Sequence, residues 1–228
     1  MKFSKIIVVL LLFVLSSNAH AQIQNLNGIG GEVLRESGYD RIDGSPYLFD
    51  KYKRAFAYDV DGVKIDVFAK YDSFKEEFEV HNGGNPIILD AKLYRRIQFN
   101  FYDESENRTV VLDFENGFDI PGYNKKDYFH VLKTGKVKVL RKLSTAKIEE
   151  NEASYSGVNN VSSRFITKER FFLVKENNEV IKFKKIKNGT VLKAFNDKRI
   201  TSYVKKKKMK IKTISDLEAI AEYYEGLD

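Results

Sequence analysis

The stretch that decides the fold is Ala55–Tyr71, which reads AFAYDVDGVKIDVFAKY. From Val63 onward, apolar residues alternate with largely polar ones, as expected for a β-strand with one buried face. Asp61-Gly62 separates this strand from the apolar segment Ala55–Val60, and such a dipeptide tolerates the positive φ angles of a tight turn. The sequence therefore predicts a β-hairpin here.

Strand-like segments recur along most of the chain, and turn residues separate many of them. They are Phe78–Val80, Ile97–Phe101, Thr109–Phe114, Tyr128–Leu132, Lys136–Leu143, Arg170–Val174 and Val180–Ile186. Short connections favour antiparallel pairing of neighbours, and the lack of helical periods between strands argues against a parallel α/β sheet. The predicted fold class is mainly β, an antiparallel meander forming a curled sheet, an open barrel or a sandwich, with α+β as the alternative.

The residues outside these strands suggest the domain boundaries. Residues 22–45 are polar and contain several glycines, so we expect an irregular leader before the β domain, residues 46–187. Lys147–Ser163 is polar and lacks alternation, which predicts a long loop inside that domain. Residues 188–228 are expected to form a basic helical segment that packs on the β domain.

The first 21 residues have the pattern of a secretory signal peptide. Lys2 and Lys5 precede the apolar run Ile6–Leu15, and Ala19-His20-Ala21 fits the small-x-small rule for cleavage between Ala21 and Gln22. The apolar run is too short to span a bilayer comfortably, so a retained membrane anchor is the weaker interpretation. The prediction is an exported protein, periplasmic, outer-envelope-associated or secreted. Because the sequence contains no cysteine, a lipidated N-terminal cysteine is excluded.

Two short helices are predicted near the C-terminus, because the period of the apolar residues changes there. Ile200, Tyr203 and Val204 follow possible caps at Asn196 and Asp197. A second apolar set, from Leu217 to Tyr224, follows Ser215, which could form a capping box with Glu218.

Positive charge is concentrated in one part of the sequence. The whole chain carries a formal charge of +7, and Lys182–Lys212 contains thirteen Lys or Arg residues and one acid. Residues 213–228 contain five acids and no base, and could neutralise part of this stretch. The candidate polyanion contacts are Lys205, Lys206, Lys207, Lys208, Lys210 and Tyr203. Four consecutive lysines cannot share one helix face, so a merely solvated surface is the competing interpretation.

No catalytic or cofactor motif is recognisable. His81 and His130 are the only histidines after the predicted cleavage site, and neither has a second histidine at metal-ligand spacing. The chain lacks the nucleophile-elbow, zinc-protease, phosphate-loop and dinucleotide-binding patterns. We therefore predict no catalytic, cofactor-binding or metal residues, although a hydrolase triad assembled from distant positions remains open.

The chain also resembles a group of bacterial proteins. The segments that carry the resemblance are Gly44-Ser-Pro-Tyr-Leu48, Lys70-Tyr-Asp-Ser-Phe74, Glu77-Phe-Glu-Val80, Asp197–Lys205, Asp216-Leu217 and Tyr223-Tyr224. Together with the signal peptide and the Lys-, Phe- and Tyr-rich composition, they are similar to uncharacterised secreted proteins of Bacteroidota-type bacteria. The resemblance implies an exported bacterial setting and transfers no functional residue.

Three functions follow as hypotheses. The first is an exported, envelope-associated binding or accessory protein for an unknown envelope partner or a small apolar ligand, which would lie inside the curled sheet or on an aromatic surface. The second is electrostatic attachment of Lys182–Lys212 to an anionic membrane surface or glycan, with nucleic acid disfavoured. The third is a cryptic hydrolase that uses His81 or His130.

Overall fold

The computed structural model describes residues 29–34, 38–152 and 160–227. The predicted signal peptide and its cleavage site at Ala21 and Gln22 lie outside the described residues. The strands are β1 (Gly31–Val33), β2 (Lys53–Asp59), β3 (Lys64–Asp72), β4 (Glu77–His81), β5 (Ile87–Leu89), β6 (Tyr94–Asp103), β7 (Arg108–Glu115), β8 (Phe129–Lys133), β9 (Val137–Glu152), β10 (Asn160–Lys175) and β11 (Val180–Phe183). The helices are α1 (Asn188–Phe195), α2 (Lys198–Lys206) and α3 (Ile214–Glu225).

The eleven strands of the described residues form one antiparallel sheet that does not close, which confirms the mainly β prediction. The strand order is β1-β5-β4-β3-β2-β6-β7-β8-β9-β10-β11. Two meanders therefore meet where β2 pairs with β6. The Asp61-Gly62 hairpin is confirmed, since Tyr58 pairs with Lys64 and Gly62 has a φ of 82°.

The first part of the sheet is strongly curled. In a flat sheet, β4 and β7 would lie four strand spacings apart, about 19 Å. Instead the Phe78 ring on β4 lies 5.4 Å from the Phe114 ring on β7 and 4.9 Å from the Tyr128 ring. The turn after β3 also reaches β9, where the Thr145 amide donates to the Ser73 carbonyl at 2.8 Å. Aromatic rings therefore fill the inside of the curl.

The same face of the sheet continues under the helices. On β9, Val137 and Val139 have the same orientation as Leu143, which belongs to the core of the curl. These two valines instead pack with the buried residues of the three helices. A smaller core lies on the opposite face, where Phe129, Leu140 and Phe172 pack with Ile120. The sheet is thus curled at one end and covered by helices at the other.

Two segments predicted as irregular contain strands. Gly31–Val33, within the expected leader, pairs with β5. The prediction of a long loop at Lys147–Ser163 was wrong at both ends of that segment, because β9 runs to Glu152 and β10 begins at Asn160, and the two strands pair from Lys147 with Phe165 up to Glu152 with Asn160. Exposed Lys147 and Glu149 alternate with partly buried Ile148, so this ribbon lacks the fully buried face that produces a clear alternation.

The C-terminal segment has one helix more than the two expected. α2 and α3 are the predicted helices, and α1 precedes them. Asp197 caps α2 as predicted, since its carboxylate accepts from the Arg199 amide at 2.7 Å. The capping box of α3 is formed by Thr213 and Asp216 and not by Ser215 and Glu218.

Candidate anion-binding cleft

Helix α2 presents a polar, basic face to an open cleft. Side chains four residues apart lie on the same side of a helix, so Lys198, Ser202 and Lys206 form one row and Arg199 and Tyr203 form the adjacent row. At about 100° per residue, these five side chains fall within about 140° of the helix circumference. They line a cleft of about 570 Å³ together with Lys207 and Tyr223.

The other side of α2 fixes this orientation. Ile200 and Val204 are 1% and 3% exposed and pack in the core under the helices. Because the two buried residues lie opposite the basic rows, the helix cannot rotate without exposing them. The hydrophobic effect therefore holds the cations toward solvent.

A pair of tyrosines forms the aromatic part of the cleft. Tyr203 on α2 and Tyr223 on α3 stack with ring centroids 3.8 Å apart and an interplanar angle of 10°. Both side chains are half-buried and both line the cleft. The cleft is consequently shared by two helices, and its shape depends on how α2 and α3 pack.

The cations of the cleft are largely uncompensated. Arg199 bonds the Asp197 carboxylate at 2.8 Å, and this contact lowers the pKa of Asp197. Within the part of the chain that the structure describes, Lys198, Lys206 and Lys207 form no ion pair with a carboxylate. Three exposed ammonium groups thus remain available to an anionic ligand.

The acidic residues of α3 contact other partners. Glu222 pairs with Lys133, and the Glu225 carboxylate accepts from the Lys136 amide at 2.7 Å. Gly135 has a φ of 147°, a backbone conformation that glycine adopts readily and other residues rarely adopt. Asp216 is engaged in the capping box. Glu222 and Glu225 thus connect α3 to the β8–β9 hairpin, and neither carboxylate forms a described ion pair with a cation of the cleft.

The structure brings together only part of the predicted contact set. Lys206, Lys207 and Tyr203 line the cleft, whereas Lys205, Lys208 and Lys210 are exposed elsewhere. Lys208 follows the end of α2 with a φ of 52°, so the four lysines do not continue one helix face. Lys198 and Arg199 belong to the predicted basic stretch Lys182–Lys212 but not to the candidate contact residues, and Tyr223 belongs to neither. The four-residue spacing of Lys198, Ser202 and Lys206 could have indicated Lys198, and that of Arg199 and Tyr203 could have indicated Arg199. Tyr223 comes from another helix.

The two histidines lie apart from this cleft. His130 is 6% exposed, stacks on Phe114, and has a pKa lowered to about 3 by burial and by the nearby charge of Arg141. His81 stacks on Phe68 at 5.3 Å, and its Nδ1 accepts from the Gly83 amide. Neither ring lines the cleft between α2 and α3.

The described residues contain neither a metal-binding cluster nor a membrane-spanning helix. In residues 29–34, 38–152 and 160–227, no group of three or more acidic or histidine side chains is placed to hold a metal ion. None of the helices in those ranges has the length and apolar character needed to cross a bilayer. Comparison of the chain with protein-family models, with curated proteins and with solved structures finds no match.

Proposed function

We propose that this protein is an exported binding protein that holds an anionic glycan in the cleft between α2 and α3. The observation that carries the proposal is the convergence of Lys198, Arg199, Lys206 and Lys207 beside a tyrosine pair in one open cleft. Ammonium and guanidinium groups suit the carboxylate or sulfate groups of such a polymer. Ser202 and the tyrosine hydroxyls add hydrogen-bonding groups for sugar hydroxyls.

A glycan fits this surface better than a membrane does. Attachment to a bilayer normally combines cations with exposed apolar side chains on the same face. In the described residues, the large exposed hydrophobic side chains lie between Val60 and Val111, all on or next to the β-strands and none on the helices. The basic surface is also concave, whereas a membrane surface is best met by a flat or convex one.

Nucleic acid is disfavoured by the ring geometry. Binding of single strands without sequence preference uses aromatic side chains on which successive bases stack. Tyr203 and Tyr223 instead stack on each other, so one face of each ring is already covered.

The test is a binding titration of the full chain with polygalacturonate, a polymer of uronic acids. Lys206→Gln combined with Lys207→Gln should weaken binding by about tenfold or more, since each lost charged contact contributes about 1 kcal/mol. The matched control is Lys184→Gln combined with Lys185→Gln, which removes two exposed lysines of the same basic stretch that do not line the cleft.

Three outcomes would overturn the proposal. In the first, both double variants lose the same affinity, which would mean that only the overall charge matters. In the second, vesicles containing anionic phospholipid bind the wild-type protein more tightly than polygalacturonate does. In the third, single-stranded DNA is preferred over both.

A further inference from the structure

The stacked tyrosines Tyr203 and Tyr223 hold their two phenol rings in close contact. Aromatic pairs in proteins usually lie about 4.5–7 Å apart in offset or edge-to-face arrangements. This pair is nearly parallel at 3.8 Å, and no other ring pair among the described residues is as close. Both rings also line an open cleft, so a small oxidant can reach them.

The composition of the chain directs one-electron oxidation toward tyrosine. The sequence has no cysteine and no tryptophan, whereas it has 13 tyrosines. The two methionines are Met1 and Met209, and methionine is oxidised to its sulfoxide by oxygen transfer. Thiol and indole groups, which would otherwise compete for the oxidant, are therefore missing from this protein.

We propose that Tyr203 and Tyr223 are a site of oxidative modification that yields an intramolecular dityrosine. Two equivalents of a one-electron oxidant, such as the high-valent metal centre of a peroxidase, each remove one electron and one proton from a phenol. The two phenoxyl radicals couple, and a bond forms between one Cε atom of each ring. The hydrogen on each of these carbons then moves to its own phenol oxygen, so the net change is the loss of two hydrogen atoms.

The cross-link would connect α2 to α3, which pack on the same core through Val204 and Ile220. A covalent bond between two helices restricts the unfolded chain and stabilises the folded one, as a disulfide does. In a protein without cysteine, this carbon–carbon bond would take the place of a disulfide as a covalent cross-link. It would also fix the shape of the cleft, although the proposal does not depend on what the cleft binds.

The experiment oxidises the full chain at low concentration with photo-activated tris(bipyridyl)ruthenium and persulfate. We expect dityrosine fluorescence in the monomeric fraction, and a cross-linked peptide pair that contains Tyr203 and Tyr223 and has lost two hydrogen atoms. Tyr203→Phe and Tyr223→Phe keep both rings in place and should each abolish this product. Tyr102→Phe is the matched control, because Tyr102 is 57% exposed and lies on β6, so this variant should retain the product.

Two results would overturn the proposal. The monomeric fraction could contain no dityrosine while cross-linked dimers accumulate, which would mean that the exposed tyrosines react between molecules. Alternatively, Tyr203→Phe could leave the yield of intramolecular dityrosine unchanged, which would assign it to another pair.

Discussion

At the residue scale, the most unusual side chains are polar groups that the curled core buries without partners. Among the described residues, the Tyr71 hydroxyl, His130 Nδ1 and Arg141 Nε have no hydrogen-bond partner. Burial of an unpaired polar atom costs about 1–3 kcal/mol. Each of these unpaired atoms therefore reduces the stability of the fold.

His130 makes the stability depend on pH. Its pKa is lowered to about 3 in the folded protein, whereas the pKa of an unfolded histidine is near 6.5. Between these values the unfolded chain binds more protons, so the stability of the fold decreases as the pH falls below 6.5. Between pH 7 and pH 5, His130 should contribute a loss of about 2 kcal/mol to the free energy of unfolding.

Urea unfolding of His130→Gln at both pH values checks this prediction. The variant should lose most of the pH dependence, because glutamine does not titrate. His81→Gln, at a partly exposed ring, serves as the control and should keep the wild-type dependence. A pH dependence that is equally large in His130→Gln would assign the effect to other groups.

At the element scale, the N-cap of α3 is a position where the sequence allows two residues and the structure uses one of them. Thr213 and Ser215 both precede an acid by three residues, and both patterns fit a capping box. The helix begins at Ile214, with the Thr213 hydroxyl accepting from the Asp216 amide at 3.2 Å. Ser215 therefore lies inside the first turn of the helix and does not cap it.

Thr213→Ala should therefore lower the free energy of unfolding by about 1 kcal/mol, the usual contribution of an N-cap. Ser215→Ala, at an exposed position inside the first turn, should change it by less than about 0.5 kcal/mol. Thermal or urea unfolding measures both variants. A larger effect at Ser215 than at Thr213 would contradict the observed helix start.

Turn residues and apolar periodicity in the sequence predicted local structure. They did not predict contacts between segments that are distant along the chain. Asp61-Gly62 was sufficient to predict its hairpin, because a turn depends on neighbouring residues. The contact of Phe78 with Phe114 depends on how far the sheet curls, which no alternation specifies. In the same way, one basic row of the cleft could be read from α2, but the Tyr203–Tyr223 stack requires the packing of α3.

At the scale of the whole molecule, the position of the positive charges matters more for ligand binding than the net charge of the chain. Glu222 and Glu225 of α3 contact Lys133 and the backbone of Lys136, at the β8–β9 turn. The lysines of the cleft are therefore not neutralised by these two carboxylates. Exposed charges are screened within about 8 Å at physiological ionic strength. A ligand held by these groups should therefore dissociate as salt increases.

We expect the logarithm of the polygalacturonate affinity to fall linearly with the logarithm of the NaCl concentration, as for other polyanions whose binding releases counterions. The slope is proportional to the number of ionic contacts, so Lys206→Gln combined with Lys207→Gln should make it shallower by the contribution of about two contacts. The Lys184→Gln and Lys185→Gln control should keep the wild-type slope. Equal slopes in all three proteins would contradict a localised site.

The measurement that tests the central claim most directly is hydrogen–deuterium exchange of the full chain with and without polygalacturonate. An anionic glycan in the cleft should slow amide exchange in α2 and in the part of α3 around Tyr223. The β2–β3 hairpin should exchange at the same rate in both states. Protection confined to the sheet, or no protection at saturating ligand, would contradict the assignment of the cleft as the binding site.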